Sequence, residues 1–106
     1  MKGVLDRLVR HEEDEEVLLG RSVYVKSIPL RSHQDVEAMK AEVKAGNIVI
    51  TNISPLAKCD IDEVMRSIDE LNEFVRIQGG DIARLGEDRV ILTPRTVKIW
   101  REKLIE

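Results

Sequence analysis

Apolar residues recur at helical spacing over residues 1–10, where Met1, Val4, Leu5, Leu8 and Val9 make one stripe. The period then changes. Over residues 21–28, Val23 and Val25 alternate with Tyr24 and Lys26, which predicts a strand that Pro29 ends. Ser32 and Asp35 stand at capping-box spacing and open a helix to about Lys44. Val36, Met39 and Val43 form its buried stripe, and Gly46 stops it. Ile48, Val49 and Ile50 are an unbroken apolar run, the pattern of a central strand covered on both faces. Asp60 and Glu63 repeat the capping spacing, and the longest helix follows to about Arg76. Ser54 with Pro55 offers an earlier start. The apolar face of this helix holds Ile61, Val64, Met65, Ile68, Leu71 and Val75. Phe74 and Ile77 lie off that face. They either make a second contact surface or fold back inside where the helix has ended.

The chain from 79 to 94 reads as a sharply bordered hairpin. Ile82, Ala83 and Leu85 precede Gly86, and Val90, Ile91 and Leu92 follow Arg89. Gly86 accepts the positive φ that a tight reversal needs. Gly79 and Gly80 break the preceding helix, and Pro94 ends the second strand. Beyond it Val97, Trp100 and Leu104 recur at helical spacing, which favours a helix, although Val97 and Ile99 also alternate as in a short strand. The order strand, helix, strand, helix, hairpin predicts an α/β (α+β) two-layer sandwich. Its sheet is mixed, with four or five strands and two main helices on one face, in the order β-α-β-α-β-β plus a C-terminal helix or strand.

Charge changes the picture at the N-terminus. Lys2, Arg7 and Arg10 flank the first stripe, and Glu12, Glu13, Asp14, Glu15 and Glu16 follow it. Consecutive acids repel one another and favour an extended, solvated linker. Three parts are therefore expected: an amphipathic segment over 1–10, an acidic linker over 11–20, and a globular domain over 21–106. A short basic amphipathic helix suits an interfacial membrane anchor. The same stripe also suits a helix docked on the domain's own core or on a sister subunit. Alone in water so short a helix is marginal, and two linked copies bind lipid far better than one.

Composition narrows the function classes. At 106 residues the chain is one domain with an appendage, and with only Tyr24, Phe74 and Trp100 as aromatics its core must be aliphatic. A net charge of −3 argues against a general nucleic-acid binder. No apolar run approaches the roughly 20 residues that span a bilayer. Cys59 is the single cysteine, which excludes an internal disulfide and suits a reducing cytosol.

Catalytic constellations are not found. His11, His33 and Cys59 stand in no metal-ligand spacing, and Cys59 has no partner base. Gly79 and Gly80 match neither a phosphate-binding loop nor a dinucleotide fingerprint. Asp60, Asp62 and Glu63 are acids at a helix start, where the dipole favours them. No enzyme activity, cofactor or metal is expected, and binding or scaffolding remains.

The run Gly79-Gly80-Asp81-Ile82-Ala83-Arg84-Leu85-Gly86-Glu87, with Leu92-Thr93-Pro94, resembles the end of the SepF cell-division family in its archaeal, SepF-like branch. The resemblance extends over the whole chain, from the N-terminal amphipathic helix through the Ile48-Val49-Ile50 strand with Asn52 to the long helix and hairpin. It implies a non-enzymatic adaptor that tethers the tubulin-like protein FtsZ to the cytoplasmic membrane. The protein would be cytoplasmic, peripheral on the inner face of the cell membrane at the division site. Its implied partners are membrane lipids, the C-terminal tail of FtsZ, and a second copy in a homodimer, with higher polymers left open. Membrane contact then falls on Met1, Val4, Leu5, Leu8 and Val9. Tail binding falls on Leu71, Phe74, Ile77, Gly79, Gly80 and Ile82. Bacterial members carry Asp-Phe followed by a glycine before the hairpin. Here Asp69 keeps the acid, Glu70 replaces the aromatic, Glu73 stands near the glycine, and Phe74 lies one helical turn along. The alternative is an Alba-like nucleic-acid-binding dimer, which shares the element order and is opposed by the acidic net charge. A small enzyme or regulatory domain of similar topology is a third alternative, opposed by the missing catalytic constellation.

Overall fold

Seven elements follow one another among residues 22–101, which the structure, a computed structural model, describes. They are β1 (Val25–Ser27), α1 (Gln34–Lys44), β2 (Ile48–Asn52), α2 (Ser54–Ala57), α3 (Ile61–Ile77), β3 (Asp81–Arg84) and β4 (Arg89–Thr93). The four strands form one mixed sheet in the order β1-β2-β4-β3. β1 runs parallel to β2, and β4 runs antiparallel to both β2 and β3. The expected two-layer α+β sandwich is what forms. The segments 1–10 and 11–20 lie outside the described residues.

One face of the sheet carries the core. Val49 and Thr51 of β2 are buried and pair with Leu92 and Val90 of β4, and Ile82 of β3 pairs with Leu92. Against them α1 sets Val36, Met39 and Val43, and α3 sets Val64, Leu71 and Val75. Burial of such aliphatic side chains is the main favourable term in a fold of this size.

The caps explain the helix starts. Asp60 is extended and accepts from the Glu63 amide at 3.1 Å, as its spacing predicted. At α1 only half of the capping box forms. Asp35 reaches back to the amides of Arg31 at 2.8 Å and Ser32 at 3.2 Å, while the Ser32 hydroxyl caps nothing and the helix begins after His33. Ser54 and Pro55 do not lengthen the long helix. They start a separate turn, α2, which ends at Ala57 before Asp60 caps α3.

Several expectations are corrected. Ile48 and Ile50 are half-buried rather than enclosed, because helices cover β2 on one side only. Ile61 and Met65 are 57% and 61% exposed, since the buried line of α3 runs through Val64, Ser67, Leu71 and Val75 instead. β1 is shorter than expected, with the Tyr24 amide turned onto the Asn47 side chain at 3.0 Å. From Pro94 to Arg101 neither a helix nor a strand forms. A turn closed by the Val97 amide on the Pro94 carbonyl is followed by irregular chain, and Asp81 takes the Ile99 amide at 3.1 Å. That side-chain bond to the Ile99 amide replaces a helical one.

Candidate partner-binding site

A groove of about 470 Å³ opens between α3 and the β3–β4 hairpin. Ile53, Ile68, Ile82 and Val90 make its floor, and all four pack partly against the core. They meet there for a simple reason. Ile82 and Val90 project from the helix-covered face of the hairpin, and Ile68 stands beside the buried line of α3. Charge lines the rim, with Arg76, Arg84 and Arg89 against Asp69 and Glu87. Arg84 donates to the Gly86 carbonyl at 2.6 Å and Arg76 to Asn72 at 3.0 Å, and among the described residues neither pairs with a carboxylate. Arg89 meets Asp88 at 3.5 Å, its one carboxylate partner among the described residues. An apolar floor beneath guanidinium donors suits a short extended peptide that carries both aliphatic and acidic side chains.

Gly86 has φ 82° and lets the hairpin close, with the Leu85 amide on the Arg89 carbonyl at 2.8 Å. This holds the arginines of the two strands on one rim. Gly80 has a different role. A Cβ there would meet the Thr93 carbonyl oxygen at 2.0 Å, so the chain must pass close to β4 as it enters β3.

The opposite flank of α3 is built otherwise. Glu70 accepts from His33 at 2.7 Å and from the Lys40 ammonium, tying α3 to α1. Lys40 also reaches Glu37 at 3.4 Å and lies 5.6 Å from the centroid of the Phe74 ring. The Lys40 bond, and after it the His33 bond, hold the Glu70 carboxyl below its usual range, and Glu70 raises Lys40 in turn. A shallow hollow here is lined by Lys40, Glu70, Glu73, Phe74 and Ile77.

The family model for the cell division protein SepF matches residues 25–99. The chain belongs to the SepF cell-division family. It is 36% identical over 85 residues to the cell division protein SepF of Haloferax volcanii, covering 80% of this chain and 70% of that one. Solved SepF-like proteins share the fold. The one from Pyrococcus furiosus superposes with a TM-score of 0.70 at 33% identity, over 76% of this chain and 96% of its own. The one from Archaeoglobus fulgidus gives 0.71 at 33% identity, over 79% and 100%. These likenesses put the chain in the archaeal, SepF-like branch and give no support to the Alba-like alternative.

Set against SepF membership, the six partner-binding residues expected from the sequence do not form one surface. Ile82 lies in the arginine-rimmed groove. Phe74 and Ile77 lie on the other flank of α3, Phe74 half-buried and Ile77 74% exposed. Leu71 is fully buried and supports both flanks without reaching either. Gly79 and Gly80 belong to the turn into β3. Ile53, Ile68, Arg76, Arg84, Arg89 and Val90 line the groove but were not among the expected site residues. Their signal was available in the hairpin, where Ile82, Arg84 and Val90 fall on one face by alternation. Glu70, which replaces the bacterial aromatic, bridges two helices here.

Proposed function

We propose that this SepF-family chain is a non-enzymatic adaptor that tethers FtsZ filaments to the cytoplasmic membrane at the division site. The arginine-rimmed groove takes the FtsZ C-terminal tail. Residues 1–10, with Met1, Val4, Leu5, Leu8 and Val9 as the apolar stripe, enter the lipid interface. Copies pair, so that two weak anchors act together. The observation that carries the reading is the groove itself, an apolar floor under the Arg76 and Arg84 guanidinium groups, which pair with no carboxylate among the described residues, in a domain of the SepF family.

The test titrates the full chain with the labelled C-terminal tail peptide of the host's FtsZ, with and without vesicles containing anionic lipid. Arg84→Glu is expected to weaken peptide binding about tenfold or more, equivalent to about 1.4 kcal/mol. Phe74→Ala, on the other flank, should leave it unchanged. Leu5→Asp combined with Leu8→Asp should keep peptide binding and lose vesicle recruitment. If Phe74→Ala abolishes binding and Arg84→Glu does not, the tail sits on the α1 side of α3. If the wild-type chain binds no peptide, the tethering mechanism fails.

A further inference from the structure

The outer edge of β3 is not bare. Ile82 turns both of its backbone groups away from β4, and side chains take them. Its amide donates to the Asp81 carboxylate at 2.9 Å, and its carbonyl accepts from the Arg101 guanidinium at 2.8 Å. The chain after Pro94 delivers that arginine. Asp81 holds the Ile99 amide at 3.1 Å and Arg101 at 3.1 and 3.3 Å, while Lys98 donates to the Gly79 carbonyl at 2.9 Å. Residues 95–101 therefore form a strap along the outer edge of β3, the border strand of the sheet among the described residues. The strap buries little to stay there, since Trp100, its largest apolar side chain, is 84% exposed. Polar contacts centred on Asp81 hold it.

We propose that this strap is a displaceable edge guard, which while held by Asp81 prevents β3 from pairing with β3 of a second copy. The occupant of the uncovered edge follows from its backbone. Ile82 offers one outward donor and one outward acceptor, so two such edges related by a two-fold axis complete each other antiparallel. No other chemistry is needed to extend the four-stranded sheet into one of twice the width. The guard thus separates a form with closed edges from one that adds copies along the sheet. This inference is independent of the tail-binding groove.

The experiment uses the full chain with Arg101→Glu, an exposed change that sets a carboxylate against Asp81, and Asp81→Asn as a second variant. Amide hydrogen exchange reports the strap and sedimentation velocity reports association. Exchange at Ile99 should quicken about tenfold or more, the loss expected for a hydrogen bond to a charged group. Self-association should tighten by a comparable factor beyond the wild-type state. Adding Arg84→Pro, which blocks pairing on an exposed edge, should return association to wild type while exchange stays fast. Faster exchange with unchanged association overturns the proposal, because the edge would then need no guard. Tighter association that survives Arg84→Pro overturns it as well, because the copies would meet elsewhere. Unchanged exchange in both variants shows that Asp81 does not hold the strap, and sinks it too.

Discussion

Ser67 stands on the buried line of α3, between Val64 and Leu71, and is fully enclosed. Among the described residues its hydroxyl has no hydrogen-bond partner, and the same holds for Thr51 on β2. A buried polar group without a partner costs about 1–3 kcal/mol of desolvation. Alanine removes that group at Ser67 and has the best helix propensity, and it deletes only a single heavy atom. Ser67→Ala is therefore expected to raise the stability of the full chain by about 1 kcal/mol in urea unfolding. A loss of stability would show that the hydroxyl is satisfied in solution. This residue also marks where sequence reading reached its limit. A period search follows apolar side chains, so it passed from Val64 to Met65 and Ile68 and skipped the serine on the true inward line. The glycines were more legible, because Gly86 stands where a reversal was required by the strands on either side.

At the scale of elements, His33, Lys40, Glu37 and Glu70 decide how α1 lies against α3. Glu70 is the hub, and its carboxylate joins Lys40 of α1 and the helix's N-cap residue His33. Its depressed titration fixes the sign of a pH effect. A carboxylate whose folded value lies below its unfolded one stabilises the fold above the unfolded value. That contribution is lost as pH falls through the folded value. Wild type should therefore exceed Glu70→Gln in Tm at neutral pH, and the gap should close on acidification below the ordinary carboxylate range. Lys40 is raised, so it stays charged throughout that window. A gap that persists at the acid end would assign the stabilisation to packing at Phe74 rather than to charge. The helices themselves were readable from caps and stripes, as Asp60 shows. The bridge between them was not, because His33 and Glu70 are 37 residues apart. The strap was misread for a similar reason. The spacing of Val97 and Trp100 is helical, but Asp81 on the neighbouring β3 strand competes for the Ile99 amide.

At the scale of the molecule the sheet has a second face. No helix among the described residues lies on it. Ser27, Ile50, Ile91 and Ala83 form one row across all four strands, with Val25 beside Ile48 in the next. Val25 is 64% exposed and Ile50 and Ile91 are half-buried. The unbroken run at 48–50 predicts a strand covered on both faces, while helices lie on only one. An open apolar face and an enclosed one put the same residues in a strand, and only a second layer distinguishes them. In the pairing proposed above, a sister copy seated on this face supplies that layer and makes the run intelligible. Ile50→Asp is expected to dissociate the proposed dimer without unfolding the domain, because the substituted side chain faces away from the core. Light scattering on a size-exclusion column reads the mass directly. The same variant tests the proposed logic of paired anchors, since dissociation leaves each copy with a single weak anchor. Vesicle binding should then fall by about 10²-fold or more, the gain that linkage gives two weak sites. A monomeric Ile50→Asp variant that binds vesicles as tightly as wild type would mean that one anchor suffices, and that self-association serves the filament rather than the membrane.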